Sequence, residues 1–139
     1  MIDVSSLHQK LVAAHLPVDF HLLTKKVEEE VHIMTMVKSH PNIVELLSAF
    51  KIANHIFIAM DLFEGMDLLD FIREPGLPEF KTKYLYRQIM RAIHYCRTRN
   101  VVHGDVKLEN ILLNRKGRVK LIDFGFSHYI IGGQKAEVC

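Results

Sequence analysis

Four polar side chains carry the chemistry that this sequence can be read for. Asp105, Lys107 and Asn110 fall in the run Val101-Val102-His103-Gly104-Asp105-Val106-Lys107-Leu108-Glu109-Asn110, and Asp123-Phe124-Gly125 follows downstream. A carboxylate to orient a hydroxyl, a cation to reach a phosphate and two oxygen donors for a hard divalent ion are what phosphoryl transfer asks of a protein. That reaction needs positioning and charge neutralisation more than covalent help. Mg²⁺ prefers oxygen and usually takes only one or two ligands from protein. Asn110 and Asp123 are the candidate metal ligands, Asp105 the candidate base, and Lys107 the cation for the transferred group.

These residues need a frame. Between the two polar clusters lie apolar runs, Ile111 to Leu113 and Val119 to Ile122, around Asn114-Arg115-Lys116-Gly117. Short apolar runs around a Gly-containing turn read as a β-hairpin, which would bring both clusters together at its open end. A long helix is expected from about Glu79 to Arg99. Its apolar face is Tyr84, Leu85, Ile89, Ala92, Ile93 and Cys96. Its other face carries Lys81, Lys83, Arg87, Arg91 and Arg97, a solvated face first and a partner surface second. Val27, Val31, Met34 and Val37 recur at helical spacing. His55-Ile56-Phe57-Ile58-Ala59-Met60 has the pattern of a buried strand, and Glu74-Pro75-Gly76-Leu77-Pro78 reads as a turn within one domain.

The two motifs resemble the catalytic loop H-R-D-L-K-x-x-N and metal loop D-F-G of the eukaryotic protein kinases, matching at His103, Asp105, Lys107, Asn110 and Asp123 to Gly125. Lys107 resembles the serine/threonine type. Upstream, His40-Pro41-Asn42-Ile43-Val44 is similar to the loop after the family's C helix, and Val27 to Met34 to the helix itself. The resemblance makes Glu30 the glutamate that pairs with the phosphate lysine, with Glu29 as alternative; a solvated acidic face is the other reading. It makes Met60 the gatekeeper behind adenine; a plain core methionine is the other reading, and both can hold together. Asp61-Leu62-Phe63 becomes the hinge whose main chain bonds adenine, and Asp67 a ribose ligand. Tyr95-Cys96 and Asp123 to Ser127 resemble the calcium/calmodulin-dependent and AMP-activated group, and Pro17-Val18-Asp19-Phe20 the testis-specific serine kinases.

The implied fold is α+β and two-lobed, in partial form: the C helix, the family's fourth and fifth strands, hinge, D and E helices and the catalytic-loop hairpin. Residues 1–60 would be an N-lobe remnant, 61–66 the hinge and 67–139 the start of the C-lobe. The implied activity is transfer of the ATP γ-phosphoryl to Ser or Thr of a protein substrate with Mg²⁺. The alternative is a pseudokinase-like module that binds nucleotide or another protein. A third reading is a product that does not fold stably.

Several departures bear on activity. No glycine precedes Gly65, whereas the family covers the phosphates with a Gly-rich loop whose backbone must approach closely. No V-A-I-K occurs. Lys10 is the lysine at a suitable distance before Glu30 and the candidate for the phosphate lysine, the other reading being a surface lysine. Gly104 stands where the family has an arginine that commonly holds a phosphorylated activation loop. The sequence reaches Cys139 within what resembles the activation segment. A kinase domain runs to roughly 250 residues, at the upper end of domain size, so little or no activity, marginal stability and chaperone dependence are expected of these 139 residues.

Composition is quiet elsewhere. With 18 Lys plus Arg against 16 Asp plus Glu the net charge is +2, too balanced to argue for nucleic acid or an anionic membrane. The nine histidines form no zinc-like spacing. Cys96 and Cys139 read as reduced thiols of an intracellular, most simply cytoplasmic, protein. No apolar run is long enough to span a bilayer, and the first residues lack signal-peptide character.

Overall fold

The structure, a computed structural model, describes residues 20–53, 55–72, 76–131 and 134–136. Lys10 and the Pro17 to Asp19 approach lie outside them. The first described helix, α1 (Phe20–Met36), buries Val27, Ile33 and Met34, and Val37 is buried just beyond its end. The expected helix at Val27 to Met34 is therefore part of a longer one, and Ile33 belongs to its inner face. Ser39 (φ 71°) then reverses the chain.

Strands β1 (Leu46–Ile52) and β2 (His55–Met60) pair antiparallel from Leu46↔Met60 to Ile52↔His55, with a bulge between Leu46 and Ser48. Only Ile56 and Ile58 are buried; they pack with Val27 of α1. This corrects the expectation of a strand buried throughout. Apolar character on both faces of β2 does not mean burial on both, because successive side chains point oppositely and an antiparallel hairpin need cover only one face.

The remaining elements build the frame of the site. β3 (Met66–Asp67) leads into the short helix α2 (Leu68–Phe71), and α3 (Glu79–Thr98) follows. Then come β4 (Val101–Val102), a 3₁₀ turn (Leu108–Asn110), β5 (Ile111–Leu113), β6 (Val119–Leu121), β7 (His128–Ile131) and β8 (Gln134–Ala136). Three small sheets result: β1-β2, β3-β5-β6 and β4-β7-β8. All named strand pairs are antiparallel. This mixture of helices and antiparallel sheets agrees with the α+β expectation.

Helix α3 carries the hairpin. It ends within a residue of the expected place: Arg99 caps it, and Asn100 (φ 57°) takes the left-handed conformation that commonly stops helices. Leu85, Ala92 and Cys96 are buried, and Ile89 packs against the same core. Tyr84, expected on that face, is 53% exposed, while Gln88 lies inside. The core continues through Val101, Ile111, Leu113, Val119, Leu121 and Phe124 to Ile33, Met34 and Val37 of the α1 region. Each such large side chain contributes about 1.5–3 kcal/mol by leaving water. Residues 42–44 stitch the two parts together. Leu121 donates its main-chain N–H to Asn42 O (2.9 Å), and Val44 donates to Leu121 O (3.0 Å).

Candidate active site

Hairpin register brings the two polar clusters side by side. Ile111 faces Leu121, and Ile122 extends the ladder by donating its N–H to Asn110 O at 2.9 Å. Asn110 therefore sits across from the residue that precedes Asp123. The 3₁₀ turn supplies the other half of the arrangement, with Asn110 N–H donating to Lys107 O (3.1 Å). Asn110 is buried, and its Nδ2 donates both to Asp105 O (3.0 Å) and to Asp105 Oδ2 (2.9 Å). Lys107 Nζ lies 2.7 Å from the same Oδ2. The hydrogen bond from Lys107 holds the Asp105 carboxyl below the usual carboxylate range, with Asn110 adding to it, and Asp105 in turn raises Lys107. Asp105 is thus an anion with one well-defined orientation.

His103 braces this loop against the metal loop. Its Nδ1 accepts the Asp105 N–H (3.3 Å), which leaves the proton on Nε2 to donate to Ile122 O (3.0 Å). Burial pushes its pKa down, so the ring is the neutral form that these bonds require. Buried Phe124 packs edge-on against it, ring centroids 4.7 Å apart. Asp123 sits at φ 63°, a left-handed conformation uncommon for residues other than glycine. Its Oδ1 accepts the Gly125 N–H at 3.2 Å. The strained backbone turns this exposed carboxylate at the open end of the hairpin.

Gly104 makes a second closure possible. It adopts φ +83°, and a Cβ there would lie 2.3 Å from Phe126 O. Ser127 Oγ donates to His103 O at 3.0 Å. The chain after the metal loop thus rests directly on the catalytic-loop backbone, where any side chain at 104 would collide. Sequence reading noted the missing arginine at 104 but not this contact, nor the part played by Ser127.

The remaining candidates are distributed as follows. Glu30 of α1 reaches the metal loop: its Oε2 lies 3.7 Å from where a Gly125 Cβ would stand. Burial, and then the charge of Asp123, raise its pKa. Lys10 is outside the described residues. Met60 ends β2 and is 39% exposed, so it is not core among the described residues. Asp61 donates its N–H to Glu45 O (2.9 Å), and its Oδ1 accepts the Glu45 N–H (2.7 Å). Its Oδ2 pairs with Lys120. That side chain is therefore a tie between strands, and only the Asp61 carbonyl is left for a ligand. Phe63 lies under Lys120 Nζ, 5.9 Å from its ring centroid. Asp67 caps α2, its Oδ1 accepting from Asp70 N (2.7 Å), which commits one of its two carboxylate oxygens. Lys120 escaped sequence reading; strand alternation beside Leu121 was the available signal.

The donor set suits a hard divalent ion. Both Asn110 Nδ2 hydrogen bonds go to Asp105, which turns its Oδ1 the other way. Asp123 retains a second carboxylate oxygen, and its charge adds to burial in raising the nearby Glu30. Among the described residues no three His, Cys, Asp or Glu form a metal cluster. An ion held here would accordingly depend on few protein ligands, as Mg²⁺ commonly does.

Comparison with known proteins gives the same result from a different direction. The sequence profile of the protein kinase domain matches residues 10–139. Mouse sperm motility kinase 2A is 40% identical over 106 residues, covering 76% of this chain and 21% of the relative. Rat NUAK family SNF1-like kinase 2 is 40% identical over 103 residues, 73% of this chain and 16% of the relative. The rat phosphorylase b kinase gamma catalytic chain, liver/testis isoform, is 35% identical over 112 residues, 79% of this chain and 28% of the relative. This chain thus spans less than a third of the length of these relatives. The resemblance drawn from two motifs extends across nearly the whole sequence, and the chain belongs to the protein kinase domain family.

Proposed function

We propose that this chain carries the catalytic loop of a serine/threonine protein kinase, which transfers the γ-phosphoryl of ATP to a hydroxyl of a protein substrate. The observation that carries this reading is the linkage Asp105–Asn110–Ile122–Asp123, in which one buried amide orients the base and one ladder bond sets the metal loop beside it. Asp105 accepts the proton of the attacking hydroxyl. Lys107 starts on Asp105 Oδ2 and shifts toward the transferred phosphoryl as its charge develops. Asn110 Oδ1 and Asp123 would hold Mg²⁺, which would supply charge neutralisation of phosphate oxygens. His103 positions both loops and does no chemistry. Glu30 directs a cation toward the phosphates, with Lys10 as its proposed partner. The Asp61 carbonyl and the Phe63 main chain bond adenine beside Met60, and the second oxygen of Asp67 takes ribose.

The chain's own turnover is proposed to be weak, because Lys10, the proposed partner of Glu30, does not stand in the V-A-I-K run that the family uses. Its large exposed apolar side chains on α3, Phe80, Tyr84, Tyr86 and Met90, support the reading that it engages a chaperone. The test is a thermal melt of the 139-residue chain with and without Mg-ATP, beside Asp123→Asn. A ligand that binds the folded state raises the melting temperature. A rise in the parent that is lost in the variant is the expected result. A cooperative melt with no rise would replace this reading with a folded interaction module.

A further inference from the structure

At the closed end of the hairpin, about 10 Å along the strands from Asn110, lies a pocket of about 870 Å³ whose turn residues the chemistry above leaves unused. Its two walls are the segment Leu62 to Met66 with Phe71, and the turn Asn114 to Arg118. Both walls are fixed. A Cβ on Gly65 would lie 2.5 Å from Leu113 O, so that segment packs directly on β5. Asn114 Oδ1 accepts the N–H groups of both Lys116 and Arg118 at 3.0 Å, and Gly117 N–H donates to Asn114 O at 3.0 Å. The turn is thereby braced from inside, with its long side chains left to project.

The lining has two characters. Leu62, Met66 and Phe71 are 87%, 53% and 40% exposed, more apolar surface than an isolated side chain explains. Arg115, Lys116 and Arg118 are exposed cations with no ion pair among the described residues. The fourth cation, Lys120, is held by Asp61, and Glu64 is the single acidic residue of the lining. Uncompensated positive charge around an apolar floor complements carboxylates flanking an apolar side chain.

We propose that this pocket is a docking site for an acidic segment of a protein partner. A leucine or aromatic side chain of that segment seats on Leu62, Met66 and Phe71, and its flanking carboxylates meet Arg115 and Arg118. The guanidinium groups suit bidentate carboxylate contacts. A concave floor favours a side chain over a polyphosphate, and a net charge of +2 gives little long-range attraction for nucleic acid. The pocket shares Leu62 and Phe63 with the proposed hinge but draws on their side chains and on the turn, so this inference survives even if the chain transfers no phosphoryl group.

The experiment is fluorescence anisotropy of the whole chain with a labelled peptide of Asp and Glu around a central Leu-Phe pair, at low and high salt. The parent is expected to bind, less tightly at high salt. Arg115→Glu with Arg118→Glu should weaken binding about tenfold or more. Leu62→Ser, or Ser in place of the peptide's Leu-Phe pair, should weaken it as well, and Lys81→Glu on α3 should not. Melting temperatures establish that each variant is folded. Equal binding by the charge-reversed variant overturns the proposal, as does failure of the folded parent to bind. Heparin binding with no sensitivity to the Leu-Phe pair overturns it too, and assigns a polyanion surface instead.

Discussion

Asn110 holds Asp105 at two points, donating Nδ2 to its main-chain oxygen at 3.0 Å and to its carboxylate at 2.9 Å. The amide thereby fixes both the backbone and the side chain of the proposed base, and its oxygen is the proposed metal donor. Asn110→Ala should therefore damage two functions together. Phosphoryl transfer by the parent, at whatever level it occurs, is expected to fall about a hundredfold through misplacement of Asp105 alone, and the Mg-ATP melting shift should shrink. Asp105→Asn should instead spare the shift and remove turnover, and Asp123→Asn should remove the shift. Identical nucleotide binding by these last two variants would show that the division of roles is wrong.

Gly104 and Gly117 both sit at positive φ, +83° and +74°, but in different surroundings. A Cβ at 117 would meet Tyr84 Cε1 at 3.5 Å, an ordinary contact, whereas at 104 it would strike Phe126 O at 2.3 Å. Both alanine variants incur the left-handed penalty of about 1–2 kcal/mol. Only Gly104→Ala must also displace backbone, so it should be the more destabilised by a further ~1–3 kcal/mol. Urea denaturation of the two variants measures the difference. Equal losses would mean that the Phe126 segment moves away freely.

The fate of His103 on acidification follows from its burial. Its folded pKa lies below 6.5, despite the opposing influence of Ile122 O, Asp123 and Asp105. The unfolded chain therefore takes up this proton first as pH falls, and stability rises with pH through that window. The contribution is whole above 6.5 and is lost as pH drops through the folded value. His40, lowered by burial and Arg91, acts in the same direction. Glu30, raised above 4.5, opposes them at lower pH because the folded state gains the proton. Melting temperature should fall from neutral to mildly acidic pH in the parent. His103→Gln should melt lower throughout with a shallower slope. An unchanged slope would place the titration elsewhere.

What could be read from the sequence divides along a physical line. Hairpin, long helix and loop clusters were legible because local periodicity, turn residues and short-range register determine them: Ile111 to Leu113 and Val119 to Leu121 pair as expected, and α3 ends within a residue of Arg99. Burial of single residues was less legible. Tyr84 has an apolar ring at the right spacing yet faces solvent, and Gln88 is polar yet buried. For Met60, read as gatekeeper or as core, the core reading fails because hydropathy does not say which strand face is covered. Asp61 was read for its main chain, and its carboxylate proved to be engaged with Glu45 and Lys120, partners distant in sequence. Such satisfaction of polar groups by remote partners leaves no local pattern.

Gln88 gives the sharpest test of that point. Its Oε1 accepts from Asn42 Nδ2 (3.0 Å) and from Val119 N–H (3.2 Å), and its Nε2 donates to Gly117 O (2.8 Å). One buried side chain on α3 thus joins the loop after α1 to the strand and turn of the hairpin. Gln88→Leu keeps the volume but leaves the buried Val119 N–H unpaired, at about 1–3 kcal/mol, and takes a partner from Gly117 O and one of two from Asn42 Nδ2, which keeps Val119 O (2.9 Å). Gln88→Glu keeps the acceptor for Asn42 and Val119 but sets a carboxylate against the Gly117 carbonyl. A buried charge costs more than a missing bond, so this variant should be the weaker of the two at neutral pH. Protonation would restore a donor toward Gly117 O, so Gln88→Glu alone should gain stability relative to the parent as pH is lowered. Urea titrations at two pH values separate the cases. If Gln88→Leu were neutral and Gln88→Glu showed no relative recovery in acid, the hydrogen bonds of Gln88 would not be what holds the hairpin to α3.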